Sequence, residues 1–188
     1  MKLLKEMIME KGIVKNSALL KVDSFLNHQI DPNLMYEIGK EFKEEFKDKQ
    51  VNKVLTIEAS GIAIGVATAY AFNVPMVFAK KNKPSTMEES YNTVVHSFTK
   101  NKDYNITVSK EFINKGDKIL IVDDFLAMGN AVIGLKKIVE DAGAEVVGVG
   151  IVVEKGFQQG GNLLKEAGLN LKSLAIVDSL KDNKIHLR

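Results

Sequence analysis

An α/β fold with a mostly parallel central sheet, flanked by helices, is predicted by three features of this chain. From Lys53 onward short apolar runs alternate with helix-length segments. The runs are apolar throughout rather than alternating with polar residues, so both faces of each strand must be covered. Turns rich in glycine and carboxylates separate strand from helix at Glu58–Gly61 and at Asp123–Gly129. Parallel neighbours joined through helices then take right-handed crossovers.

The elements follow in order. Leu3, Leu4, Met7 and Ile8 repeat at helical spacing, and Gly12 closes that helix. A short strand is expected at Ala18–Val22. Asp31 as N-cap with Pro32 at the first helical position opens a long helix through Lys49. Its buried stripe is Leu34, Met35, Ile38, Phe42 and Phe46. Val54–Ile57 is a strand, Gly61–Phe72 a helix and Val74–Phe78 a second strand. Between Lys80 and Asp117 the rhythm breaks. Residues 80–92 are polar and aperiodic and read as a flexible lid, because a long loop in a compact domain usually serves a site. Thr93–Phe98 and Tyr104–Val108 alternate like a hairpin joined by Thr99–Asp103. Lys118–Val122 is a third strand, followed by a helix from about Gly129 to Ala142. Glu145–Val153 is a fourth strand, then come a short helix ending near Gly168 and strands near Ser173–Val177 and Ile185. The whole reads as a single domain over 1–188. Its core spans about 35–154, and the two ends, 1–34 and 155–188, form a small subdomain beside the sheet.

Composition narrows the function. The chain has 188 residues, 45% hydrophobic, with 27% charged and a net charge of only +2. That balance excludes a strongly basic nucleic-acid-binding surface. With no cysteine there is no disulfide, thiolate metal site or cysteine nucleophile, and the three histidines show no metal-ligand spacing. No metal ligand is assigned to the protein itself. The longest apolar run, Val146–Val153, is far too short to cross a bilayer, and the Lys/Glu-interleaved N-terminus lacks a secretory core. The reading is of a soluble cytoplasmic protein without membrane contact.

The chemistry concentrates in Lys118-Ile-Leu-Ile-Val-Asp-Asp-Phe-Leu-Ala-Met-Gly-Asn-Ala131. A buried strand delivers two adjacent carboxylates, Asp123 and Asp124, and a turn with Gly129 leads into a helix. Ligands of open α/β sheets gather beyond the carboxyl ends of strands. A helix start after a glycine turn offers free N–H groups to a phosphate. Carboxylates repel phosphate, so their natural partners are neutral sugar hydroxyls. Ribose on one side and a 5′-phosphate on the other fit the segment. Glu58-Ala-Ser-Gly61 forms a second anion-suited turn, although Ser60 alone would also serve as an ordinary N-cap. Lys80, Lys81 and Lys83 stand at a strand end, where a lysine can neutralise a departing anion.

The Asp123–Ala131 run resembles the binding motif for 5-phosphoribosyl 1-pyrophosphate (PRPP) of the type I phosphoribosyltransferases. The resemblance extends over the entire chain, to the bacterial xanthine-using members, through Leu20–Pro32, His96–Lys100 and Ile151–Phe157. It implies the type I phosphoribosyltransferase fold, with a hood made from both chain ends and a flexible lid. It implies that Asp123 and Asp124 bind the ribose hydroxyls and that Ala127, Met128, Gly129, Asn130 and Ala131 hold the 5′-phosphate. Family loops usually carry Thr or Ser there, so in this chain backbone N–H groups carry more of the binding. The Glu58, Ala59, Ser60 and Gly61 turn would hold pyrophosphate, with a non-proline cis peptide expected at Ala59–Ser60. Lys81, with Lys80, would steady the leaving group, and Ser90 and Tyr91 would belong to the lid.

For the base, the resemblance implies contacts from Leu20 (main chain), Asn27, Lys155 and Phe157. Lys155 can donate to a 6-oxo oxygen, Phe157 can cover the ring, and the Asn27 amide can donate to a 2-oxo oxygen. A polar site left unpaired by the wrong base discriminates strongly. The implied activity is purine salvage, in which xanthine and PRPP give xanthosine 5′-monophosphate (XMP) and pyrophosphate. The implied cofactor is Mg²⁺, bound mainly through substrate oxygens and water. A homodimer is implied as well. Two alternatives stay open at this point: a guanine/hypoxanthine enzyme of the same family, or a non-catalytic PRPP-sensing regulator of the same fold.

Overall fold

A computed structural model of the chain describes residues 1–82, 87–97 and 102–188. Six strands form the central sheet in the order β10-β9-β8-β7-β3-β4. These are β3 (Lys53–Ile57), β4 (Met76–Ala79), β7 (Lys118–Leu126), β8 (Glu145–Lys155), β9 (Leu171–Ser179) and β10 (His186–Leu187). All neighbours pair in parallel except β10, which runs antiparallel to β9. The C-terminal residues expected beside the sheet therefore extend it by two strands. Two antiparallel hairpins stand apart, β1 (Ile13–Lys15) with β2 (Leu19–Lys21), and β5 (Ser90–Ser97) with β6 (Lys102–Ser109). Among the described residues there are also the α-helices α1 (Lys2–Lys11), α2 (Pro32–Glu45), α3 (Gly61–Phe72), α4 (Asn130–Asp141) and α5 (Gly160–Glu166), with short helical turns at Asp23–Asn27, Lys110–Phe112 and Lys181–Asn183.

The uniformly apolar strands are explained by the two layers that cover them. Alternate residues of β7 point to opposite faces. Leu120 and Val122 join a cluster with Leu4, Ile8, Phe25, Ile38 and Phe42, on the side of α1 and α2. Ile119 and Ile121 join Ile106, Val108, Val132, Leu135 and Ile138, on the side of α4 and the β5–β6 hairpin. Complete burial of each such side chain contributes about 1.5–3 kcal/mol. Asp31 caps α2 as expected, its side chain accepting from the N–H groups of Asn33 and Leu34. None of the helices among the described residues is long and apolar enough to cross a membrane.

Several boundaries differ from the sequence reading. Helix α2 ends at Glu45, not Lys49, because Phe46 leaves helical geometry (φ −118°, ψ 19°) as its ring packs on Gly148. Strand β7 runs on to Leu126, since Phe125 and Leu126 continue the ladder opposite Val153 and Glu154. Ser90, Tyr91 and Asn92, expected in the lid, belong to β5 and pair with Ser109, Val108 and Thr107. Lys102 and Asp103, expected in the hairpin turn, belong to β6. Residues 83–86 of the expected lid, including Lys83, and residues 98–101 lie outside the described residues. The non-proline cis peptide is Glu58–Ala59, one bond earlier than expected.

Candidate active site

Parallel strands place all their carboxyl ends on one edge, so the segments singled out in the sequence meet there. Strand β3 leads into Glu58–Gly61, β4 into Lys80–Lys81, β7 into Ala127–Gly129 and β8 into Gly156–Phe157. Asp123 and Asp124 lie inside the last turns of β7, each only 7% exposed. Being adjacent in a strand, they face opposite sides, and their partners differ accordingly.

Asp123 faces the hairpin side. Its Oδ1 accepts the Asp124 N–H at 2.9 Å. Burial, and next the charge of Asp124, hold its carboxyl well above the usual 3.8, while Lys81 pulls the other way. Tyr104 stands near it, its phenol pushed up by burial and by the Asp123 charge. The Lys81 ammonium lies 5.7 Å from the centre of the Tyr104 ring. The backbone N–H of Lys81 donates to Glu58 Oε1 at 2.7 Å. Lys81 thus belongs with the acid pair, whereas Lys80 is bridged to Thr107 and directs its ammonium over Phe78.

Gly61 is required by the closeness of α3 to this edge. A Cβ there would sit 2.0 Å from Thr56 Oγ1 and 3.2 Å from Asp123 Oδ1. Thr56 Oγ1 is buried beneath the turn without a hydrogen-bond partner among the described residues. The Ser60 side chain makes no capping bond to α3. The plain N-cap role is therefore not the one it fills.

The phosphate-type turn closes on a cavity of about 120 Å³, lined by Ala127, Met128, Gly129, Asn130 and Ala131 with Asp123 and Tyr104. Gly129 adopts φ +87°, a conformation open to glycine at little cost. No side chain caps α4 and no acidic residue occupies its first turn, so its N–H groups face the cavity uncontested. Asn130 is the exception to the expected pattern. Its Nδ2 donates to the His96 carbonyl at 3.0 Å, tying the hairpin to the turn rather than pointing at a phosphate. Behind the turn, the Gly160 N–H donates to the Ala127 carbonyl at 3.0 Å, and a Cβ on Gly160 would lie 2.4 Å from that oxygen.

Asp124 faces the N-terminal side. Asn27, at the end of the short helical turn Asp23–Asn27, donates from Nδ2 to Asp124 Oδ2 at 2.9 Å. Lys155 is half-buried, its ammonium 5.7 Å from the Phe125 ring centre. Burial pushes that ammonium below its usual 10.5, and Asp124 pulls it back up. Two residues expected to address a base thus converge on one acid. Leu20 sits in β2 with its side chain buried, and Phe157, two residues past β8, is 43% exposed.

Sequence reasoning missed Tyr104, Thr56 and Gly160. Tyr104 was visible only as an alternating position of β6, in line with buried Ile106 and Val108. Thr56 lay hidden inside a strand read as uniformly apolar. Chemically, the edge offers acceptor-only oxygens beside free helix N–H groups, a cation from Lys81 and a second cation from Lys155. That is a donor set for a sugar bearing phosphates and for a polar planar ring.

Comparison with known proteins points the same way. The family profile described as "Phosphoribosyl transferase domain" matches residues 26–162. The chain is 54% identical over 188 residues to the xanthine phosphoribosyltransferase of Staphylococcus carnosus, covering 100% of this chain and 98% of that one. It is 57% identical over 186 residues to the one from Clostridium novyi, covering 98% of each. Among solved structures, the adenine phosphoribosyltransferase of Rhodothermus marinus superposes with a TM-score of 0.77 at 22% identity, over 94% of this chain and all of that one. The Saccharomyces cerevisiae adenine phosphoribosyltransferase, complexed with an imino-altritol bisphosphate and adenine, gives 0.75 at 18% identity, over 93% and 99%. At such identities the two superpositions speak for the fold alone.

Proposed function

This chain belongs to the phosphoribosyl transferase family, and on that premise we propose that it joins xanthine to PRPP, giving XMP and pyrophosphate, as a purine-salvage enzyme. The observation that carries the substrate is the 52–57% identity, over essentially the whole chain, to relatives named xanthine phosphoribosyltransferase. The geometry supports it. Asp123 and Asp124 receive the ribose hydroxyls, the uncapped start of α4 receives the 5′-phosphate, and Glu58–Gly61 with Lys81 receives the pyrophosphate. Asn27 and Lys155 take the 2-oxo and 6-oxo edges of the base, with Leu20 and Phe157 around the ring.

In the reaction a ring nitrogen of the base, its proton released to water, bonds to the anomeric carbon as the bond to pyrophosphate breaks, through an oxocarbenium-like state. The charge released onto pyrophosphate is met by Lys81 and by backbone N–H groups. Mg²⁺ enters this reading as a hard cation carried on the donor's oxygens, and it would supply charge neutralisation there. The protein groups suited to face it, directly or through water, are the oxygens of Asp123 and Asp124. Among the described residues no group of three or more His, Asp or Glu side chains gathers to hold a metal alone. The N-terminal segment through Asn27 and the residues just past β8 act as the hood over the base, and the working form is a cytoplasmic homodimer.

The test is to incubate the pure protein with PRPP and Mg²⁺, offer xanthine, guanine, hypoxanthine and adenine separately, and follow nucleotide formation. Turnover highest with xanthine is expected. Donor binding without turnover on any base would instead identify a sensor that kept the fold and lost the reaction.

A further inference from the structure

Thr56 lies completely buried in β3, two residues before the Glu58–Gly61 turn. Its Oγ1 has no hydrogen-bond partner among the described residues. Most buried polar groups in folded proteins are paired, and leaving one unpaired costs stability. The side chain is also pinned. A Cβ on Gly61 would sit 2.0 Å from Thr56 Oγ1, and a Cβ on Gly65 would sit 3.1 Å from the Thr56 methyl. The two glycines let the first turns of α3 lie directly on Thr56, which keeps its hydroxyl beneath the turn.

Above that hydroxyl, the N–H groups of Ala59, Ser60 and Gly61 donate to no backbone carbonyl among the described residues. An anion seated on the turn draws such groups toward itself. A peptide group is planar, and its C=O points away from its N–H. Each N–H turned outward to the anion therefore sends a carbonyl inward, where it needs a donor. A threonine hydroxyl can donate, and Thr56 Oγ1 is the unpaired one at that place. We propose that Thr56 is a positioning residue for pyrophosphate: its hydroxyl, unpaired in the free protein, donates to a carbonyl of the Glu58–Gly61 turn when pyrophosphate draws the N–H groups outward. Thr56 itself touches no ligand. The bond is made only in the bound form, so it adds to affinity and not to the stability of the free chain. This rests on the reading of the turn given under Proposed function, and it adds a buried residue of β3 to the pyrophosphate side of the site.

Thr56→Val removes the hydroxyl and keeps the branched shape. Calorimetry with PRPP and Mg²⁺ should show binding about tenfold or more weaker than in wild type, roughly the effect of one hydrogen bond. The control ligand is XMP, which shares the ribose and 5′-phosphate and lacks the pyrophosphate. Its affinity should stay within about twofold. Ligand-free Thr56→Val should melt at or above the wild-type temperature, because it has lost an unpaired buried group. A hydroxyl with a merely structural role would give the reverse: a lower melting temperature with PRPP affinity unchanged.

Thr56→Ser and Thr56→Ala decide the question should the valine methyl crowd Gly61. Both lose the methyl that faces Gly65, and they differ from each other only in the hydroxyl. Thr56→Ser should bind PRPP about tenfold more tightly than Thr56→Ala, with equal affinities for XMP. A wild type that binds no PRPP and makes no XMP overturns the reading of the site and this inference with it. A wild type that makes XMP, with PRPP affinity unaltered by loss of the hydroxyl or XMP affinity lowered as much, overturns this inference alone.

Discussion

The fold disfavours the charged form of both Asp123 and Lys155, and each therefore makes a stability prediction of definite sign. Burial and Asp124 raise the Asp123 carboxyl well above 3.8. Between 3.8 and the raised value the folded chain binds a proton that the unfolded chain has released, so stability falls as pH rises through that window. Asp123→Asn keeps an Oδ1 for the Asp124 N–H and removes the cost. It should melt several degrees higher than wild type at about pH 7.5, with the gain fading toward about pH 4. Equal melting temperatures at both pH values would show that Asp123 carries no such cost. For Lys155 the shift is downward from 10.5, caused first by burial. Below the lowered value the lysine is charged in both states and the cost is complete; above 10.5 it is neutral in both and the cost is gone. Lys155→Met should thus gain stability near neutrality and lose the advantage as pH rises through the lowered value to 10.5. The same variant should lower kcat/KM for xanthine about tenfold or more, the loss of a charged hydrogen bond. An unchanged rate would remove Lys155 from the base site.

At the scale of elements, glycine decides how closely helices approach the sheet. The rings of Phe42 and Phe46, on α2 and just past it, rest against Gly150 and Gly148 of β8, where a Cβ would come within 2.8 Å and 2.4 Å of ring carbons. Phe42 is fully buried and cannot swing aside. Gly150→Ala should therefore cost about 1–3 kcal/mol by overpacking, against a gain of about 0.5–1 kcal/mol from a stiffer strand. The net loss should lower the melting temperature by a few degrees, and adding Phe42→Leu should recover part of it. No change in the single variant would mean that α2 has room to move. What was legible in the sequence sorts along the same line. The strand and helix pattern, the Asp31–Pro32 start and the Asp123–Gly129 turn are written in neighbouring residues, and they appeared nearly where expected. Features set by distant packing were not legible: Phe46 ends α2 because of Gly148, β7 lengthens because β8 continues beside it, and Asn130 turns to His96 across the hairpin. Asn27 was found by resemblance, yet nothing local to it could reveal Asp124 as its partner.

Across the whole molecule, the two ends of the chain are joined to each other and to the sheet that carries the site. The Met1 amine donates to the Leu174 carbonyl at 2.8 Å, anchoring α1 against β9. The β1–β2 turn meets the loop before β10: the Ser17 N–H donates to Asn183 Oδ1 at 3.0 Å, and the Asn183 N–H donates to Ser17 Oγ at 3.3 Å. Strand β2 leads directly into the turn that ends at Asn27, so this tether bears on the base side of the site and not on the phosphate side, which is built from β7, α4 and the β5–β6 hairpin. Asn183 has φ +55°, which alanine would strain and glycine would not. Asn183→Gly therefore deletes the side-chain acceptor while keeping the backbone. Both groups are exposed and can turn to water, so global stability should change by less than about 1 kcal/mol. The consequence should be confined to the base: KM for xanthine should rise about two- to fivefold, with KM for PRPP within experimental error. Steady-state kinetics with each substrate varied in turn separates the two. A parallel rise in both constants would mean that the chain ends support the entire site rather than its base side, and no rise in either would reduce the tether to a surface contact.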